Sequence, residues 1–99
     1  MATDTYVMWV NQLKDMIQED SFCSVTNNLS LSVYNPKSED ENISIHVVNN
    51  SNSTKMLVID STSIKPYYDK IGDPNFTYQQ SLAFAKNNCL KFIKQWAMA

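Results

Sequence analysis

The stretch Thr77-Tyr78-Gln79-Gln80, followed by SLAFAKNNCLKFIKQW over residues 81–96, decides the fold predicted for this chain. The Thr77 hydroxyl is placed to accept a hydrogen bond from the backbone N–H of Gln80, and the Gln80 side chain to reach back to Thr77, as in a capping box. Apolar residues then recur at steps of three and four, as along one face of an amphipathic helix. They are Leu82, Ala85, Cys89, Phe92, Ile93 and Trp96. The pattern predicts a C-terminal helix of about five turns whose apolar face forms the floor of a small domain.

Phe84 is the exception within this helix. On a helical wheel it lies nearly opposite Leu82 and Ile93, among polar residues. Two interpretations stay open: the apolar segment 67–76 covers the Phe84 ring, or the ring is exposed and anchors a partner protein.

A second amphipathic helix is predicted from Thr3 or Asp4 to about Gln18. Its apolar face would hold Tyr6, Trp9, Val10, Leu13, Met16 and Ile17, with Met8 apart on the polar side. Glu19 and Asp20 follow. Because negative charge is unfavourable at a helix C-terminus, the helix is expected to fray or end before these two residues.

Between the two helices the apolar period changes to two, which indicates strands. Residues 23–33 predict one long or bulged strand, although Asn27 and Asn28 would instead suit the turn of a hairpin. Residues 43–48 and 55–60 predict two more strands, separated by a turn at residues 49–54. Short connections between successive strands favour an antiparallel meander.

The predicted fold is therefore α+β: a two-layer α-β-β-β-α sandwich, in which the N- and C-terminal helices pack on one face of a three-stranded antiparallel meander. The other face, lined by hydroxyl groups, is expected to meet solvent. Residues 61–76 are predicted to be irregular, apart from one helical turn over residues 65–71 that Gly72 ends. A chain of 99 residues is expected to form one domain, residues 1–99, with one core.

A cytoplasmic location is expected because the N-terminus lacks the pattern of a signal peptide and no apolar run approaches the roughly 20 residues of a membrane-spanning helix. Cys23 and Cys89 lack a Cys-x-x-Cys spacing. They are expected to be buried free thiols, with a disulfide as the alternative.

The sequence predicts no catalytic, cofactor or metal site, and the protein is not expected to be an enzyme. The single histidine, His46, falls on the polar side of a strand, and a chain with one glycine cannot form a Gly-rich phosphate loop. The acidic run Glu39-Asp40-Glu41 lacks the alternation of a calcium-binding loop. The absence of arginine disfavours sequence-specific nucleic-acid binding.

Charge is unevenly distributed: residues 1–50 carry two lysines and seven acidic residues, and residues 51–99 carry six lysines and three acidic residues. The acidic half would attract a basic partner, for example the nucleic-acid-facing surface of a nuclease. The predicted partner-binding residues form an acidic patch and an aromatic patch. The acidic patch comprises Glu19, Asp20, Glu39, Asp40 and Glu41, and the aromatic patch comprises Tyr67, Tyr68, Phe76 and Phe84.

These observations predict a small non-enzymatic protein-binding domain, of the inhibitor or immunity type found among phage and bacterial accessory proteins. Two alternatives remain. One is a homo-oligomeric structural or assembly protein whose interface is the third strand or the last helix. The other is a nucleic-acid-binding domain that uses Lys86, Lys91 and Lys94 of the C-terminal helix.

Overall fold

Three antiparallel strands in the order β1-β2-β3 form one sheet in the computed structural model, which describes residues 4–35 and 43–98. The elements are α1 (Asp4–Glu19), a π-helical turn (Phe22–Thr26), β1 (Leu29–Tyr34), β2 (Ser44–Asn49), β3 (Asn52–Asp60), α2 (Ser61–Asp69), a 3₁₀ turn (Lys70–Gly72) and α3 (Tyr78–Ala97). The predicted α+β meander with a helix at each end is confirmed, and α2 is an additional helix.

The capping box at the start of α3 is confirmed. Thr77 Oγ1 accepts from the Gln80 N–H at 3.1 Å, and Gln80 Oε1 accepts from the Thr77 N–H at 2.8 Å. The buried apolar residues of α3 are Leu82, Ala85, Cys89, Leu90 and Ile93. The predicted apolar face is wrong in one respect, because Phe92 is 38% exposed and Leu90 is buried in its place.

The apolar face of α1 packs into the core as predicted, with Tyr6, Trp9, Leu13 and Ile17 fully buried. Met8 lies outside this face and is 58% exposed. The two cysteines are free and buried, so the prediction of free thiols is confirmed.

The sheet turns one apolar face towards the helices. Val33, Ile45 and Ile59 form one row across the three strands, and Leu31, Val47 and Leu57 form the next. The opposite face carries Ser32, His46 and Val58 in a single row. The turn between β2 and β3 is shorter than predicted, because β3 already begins at Asn52.

The predicted strand over residues 23–33 is wrong in its first half. The Asp20 carbonyl accepts from the Cys23 and Ser24 N–H groups, each at 3.0 Å, and Asp20 Oδ2 accepts from the Phe22 N–H at 3.1 Å. These local bonds keep residues 22–26 wound as a π-helical turn, since aspartate offers the backbone an alternative to strand pairing. Val25 lies in this turn and is 79% exposed.

Residues 61–69 form α2 and residues 70–72 a 3₁₀ turn, so the helical turn predicted over residues 65–71 is present, and the prediction of an irregular segment is wrong for residues 61–64. The Asp60 side chain caps the helix by accepting from the Thr62 N–H at 3.1 Å, and Ile64 is fully buried. Pro66 lies inside the helix, a position that normally disfavours one. The cap and the burial of Ile64 stabilise the helix despite the missing N–H.

Candidate partner-binding surfaces

A groove between α1 and α3 holds Asp15 and Glu19 of α1, together with Asp20, which follows the helix. Two adjoining cavities of about 320 and 420 Å³ share Met16 and Glu19 in their linings, so they form one continuous depression. We call it the acidic groove, and its lining comprises Gln12, Asp15, Met16, Glu19, Asp20, Ser21, Tyr78, Gln79, Leu82 and Lys86. Its walls therefore carry three carboxylates and one lysine.

The positions of Asp15 and Glu19 follow from helical geometry. They are four residues apart, which places them next to each other on the surface of α1, and both are exposed. The last turn of α1 contains no basic residue. Because the carbonyl end of a helix is itself negative, the macrodipole of α1 adds to the field of these carboxylates.

The three carboxylates differ in whether they already form an ion pair or a hydrogen bond within the molecule. Asp15 Oδ1 pairs with Lys14 Nζ at 2.7 Å, and Asp20 Oδ1 lies 3.6 Å from Lys86 Nζ. Within the described residues, no lysine pairs with the Glu19 carboxylate. Of the predicted acidic residues, Glu19 is therefore available to an external cation, whereas Asp20 also caps the turn that follows α1. The sequence analysis did not include Asp15 in the acidic patch, although its four-residue spacing from Glu19 on a predicted helix indicated that the two side chains lie side by side.

The remaining acidic residues of the predicted patch lie outside the described residues. Glu39, Asp40 and Glu41 belong to the connection between β1 and β2, for which the structure describes only residues 35 and 43. Their part in partner binding stays a prediction.

Two of the predicted aromatic residues pack against the core. The Tyr68 ring lies 4.8 Å from the Tyr6 ring and 5.5 Å from the Trp9 ring, measured between centroids. Its hydroxyl hydrogen bonds with Thr5 Oγ1 at 3.0 Å. Tyr67 is also partly buried against the core.

Phe76 and Phe84 form a stacked pair with a centroid distance of 5.6 Å and an angle of 15° between the ring planes. Phe84 remains 52% exposed. Phe76 thus contacts the Phe84 ring without covering it, and the role of Phe84 as a partner anchor stays a prediction. Lys86, which faces α1, follows Phe84 by two residues, and such residues point about 200° apart on a helix. The Phe76–Phe84 pair and the acidic groove therefore lie on different sides of α3.

The lysines of α3 do not form a continuous basic surface. Lys86 pairs with Asp20, and Lys94 Nζ lies 5.5 Å from the centre of the Phe22 ring, a cation–π distance. Lys91 is exposed. Two of the three lysines are thus directed at Phe22 of the π-helical turn and at Asp20, which lies two residues before it.

His46 contacts residues of β1 and β2. Its Nε2 hydrogen bonds with Ser44 Oγ at 3.1 Å, and its ring packs against Tyr34 at 4.9 Å. Among residues 4–35 and 43–98, no group of three or more His, Cys, Asp or Glu side chains is arranged to hold a metal ion.

A second groove, which the sequence reasoning missed, runs along β3. It has a volume of about 470 Å³ and is lined by Leu57, Val58, Ile59, Ser63, Phe92, Gln95 and Trp96. We call it the β3 groove. Its signals in the sequence were the uninterrupted apolar run 56–59 and the last aromatic residues of α3, but only the fold brings these two segments together.

Comparisons of this chain with models of known protein families, with curated proteins and with solved structures find no match. In the described part of the chain, no helix has both the length and the apolar character needed to cross a membrane.

Proposed function

We propose that this protein is a small non-enzymatic protein-binding domain of the inhibitor or antagonist type, which blocks a basic surface of another protein. The observation that carries the proposal is the acidic groove, in which Asp15, Glu19 and Asp20 surround the half-buried Met16. Charge of one sign beside an apolar floor suits a partner that presents lysines or arginines around an apolar side chain.

The position of the acidic residues supports the proposal energetically. A negative side chain in the last turn of a helix costs about 0.3–1 kcal/mol relative to a favourable charge, because it opposes the macrodipole. Glu19 therefore lowers the stability of α1, and no lysine of the described residues offsets its charge. A requirement for negative potential at this surface accounts for that cost. Such a field would also speed the encounter with a basic partner by roughly 10- to 1,000-fold.

The charge arrangement favours a protein over a nucleic acid as partner. The groove would repel phosphate groups, the chain has no arginine, and Lys86 and Lys94 are engaged within the molecule. The Phe76–Phe84 pair, of which Phe84 is exposed and Phe76 half-buried, is proposed as a separate apolar contact. The proposed site of action is the cytoplasm, where Cys23 and Cys89 would stay reduced.

The test is affinity capture from a lysate of the source organism with the wild type, Glu19→Lys and a matched control, Asp69→Lys. Glu19 and Asp69 are both exposed acidic residues at the last position of a helix, so the two variants change net charge and macrodipole energy alike. We expect each substitution to leave stability unchanged or to raise it by about 0.3–1 kcal/mol. Loss of capture by Glu19→Lys could then not be attributed to unfolding.

We expect the wild type and Asp69→Lys to retain one stoichiometric partner that high salt releases, and Glu19→Lys to lose it. Salt sensitivity follows because exposed charges are screened beyond about 10 Å at 0.1 M ionic strength. Equal capture by all three proteins would show that the acidic groove is not the binding surface. Capture of nucleic acid by all three would favour the nucleic-acid-binding alternative.

A further inference from the structure

Lys86 brings a positive charge into the acidic groove from the side of α3. Its side chain is only 27% exposed, so most of its length lies against the protein and not in solvent. Its ammonium nitrogen lies 3.6 Å from Asp20 Oδ1. The groove therefore already contains one amino group of this chain, next to one of its three carboxylates.

The contact between Lys86 and Asp20 is loose. A hydrogen bond between an ammonium group and a carboxylate spans about 2.7–2.9 Å. The Lys14–Asp15 pair has this length, at 2.7 Å, but the Lys86–Asp20 distance is longer. In the part of the chain that the structure describes, the Lys86 ammonium forms no hydrogen bond, although it has three donors. A cation with better geometry can therefore displace it.

Asp20 does not need Lys86 to keep its position. Its second oxygen, Oδ2, accepts a hydrogen bond from the Phe22 N–H at 3.1 Å, which orients the carboxylate on the turn that follows α1. The Lys86 ammonium therefore occupies a carboxylate oxygen that the local fold leaves available.

Lys86 also changes what a basic partner meets in the groove. Glu19, Asp20 and Lys86 line the same cavity. A lysine or arginine that approaches Glu19 finds a carboxylate that no lysine of the described residues pairs with. A second basic group that approaches Asp20 meets the charge of Lys86, and like charges side by side oppose binding.

We propose that Lys86 is an internal competitor for the basic partner: its ammonium group occupies the position at Asp20 that a lysine or arginine of the partner would take. The inference rests on the proposed function of the acidic groove, because a competitor requires a cationic ligand there. Lys86 is then a specificity-determining residue. It weakens the binding of every cation to the groove, so only a partner with enough basic and apolar contacts to displace it binds tightly.

The test is the affinity for a fluorescently labelled helical peptide of leucine and lysine, measured by fluorescence anisotropy. The proteins compared are the wild type, Lys86→Gln, Lys91→Gln and Glu19→Lys. Lys91 also belongs to α3 but is exposed and does not line the acidic groove, so Lys91→Gln controls for the loss of one positive charge. Circular dichroism would verify that all four proteins are folded.

We expect Lys86→Gln to bind the peptide roughly two- to fivefold more tightly than the wild type at 0.1 M salt, the range that a partly exposed ion pair allows. Lys91→Gln should bind like the wild type, and Glu19→Lys more weakly. The gain of Lys86→Gln should disappear near 1 M salt, where charges are screened beyond about 3 Å.

Equal affinities of Lys86→Gln and Lys91→Gln would overturn the inference. Weaker binding by Lys86→Gln would do so too, since Lys86 would then support the binding site instead of competing for it. A peptide that binds none of the proteins, or binds Glu19→Lys as tightly as the wild type, would show that Lys86 controls no cation site in the groove. Failure of the proposed function would appear separately, as equal capture of the lysate partner by the wild type and Glu19→Lys.

Discussion

Two buried serines fix α1 against the other helices. Ser81 Oγ accepts from Trp9 Nε1 at 2.8 Å and donates to the Tyr78 carbonyl at 2.6 Å, while Ser61 Oγ hydrogen bonds with the Tyr6 hydroxyl at 2.7 Å. Tyr6 and Trp9 can therefore be fully buried without leaving their polar atoms unpaired. In the sequence these serines were indistinguishable from the many exposed ones, because their partners are more than fifty residues away.

Ionisation of the buried Cys89 thiol is expected to lower the free energy of unfolding at alkaline pH. Burial raises its pKa from 9.0 to about 12. The folded state therefore holds the thiol proton over a range in which the unfolded chain has lost it. The stabilisation that the folded state gains from burying the protonated thiol is complete below pH 9. It is lost as the pH rises towards 12, which lowers the free energy of unfolding by up to about 1.4 kcal/mol per pH unit.

Urea denaturation from pH 8 to pH 11 would measure this loss. Cys89→Ala is expected to be less stable than the wild type at pH 8, because it leaves a cavity, but to lose less stability as the pH rises. Parallel stability profiles for the two proteins would contradict the assignment to Cys89.

At the scale of elements, the sequence predicted those helices and strands whose signals come from residues close together in the chain. The capping box of α3 joins residues three apart, and the apolar face of α1 repeats every turn, so both were visible in the chain. The π-helical turn and the first turn of α2 were not, because each depends on a hydrogen bond to a single aspartate side chain. Asp20 holds residues 22–26 in a turn although their alternation is typical of a strand, and Asp60 starts α2 at Ser61, four residues before the helical turn predicted from residue 65. The β3 groove was missed because it requires the fold to bring α3 to β3.

Gln18 links α1 to the edge of β1, and its removal should be costly for a residue that is not in the core. Gln18→Ala leaves the Leu31 N–H and the Leu29 carbonyl without their protein partner, which we expect to lower the free energy of unfolding by about 1–3 kcal/mol. Chemical denaturation would measure the change. Gln79→Ala is the control, since Gln79 is exposed, and its effect should stay within about 0.5 kcal/mol. Equal effects of the two substitutions would mean that the Gln18 contacts contribute little.

At the scale of the whole molecule, the acidic groove and the β3 groove lie far apart. The acidic groove follows α1, whose Gln18 contacts β1, whereas the β3 groove follows β3. Because the strand order is β1-β2-β3, these strands form opposite edges of the sheet. A partner bound in the acidic groove would therefore leave the β3 groove open.

This separation predicts that the two grooves act independently. Once a partner is identified, isothermal titration should give the same dissociation constant for the wild type and for Val58→Lys, which changes the β3 groove, whereas Glu19→Lys should lose binding. Weaker binding by Val58→Lys would instead show that the partner also contacts β3.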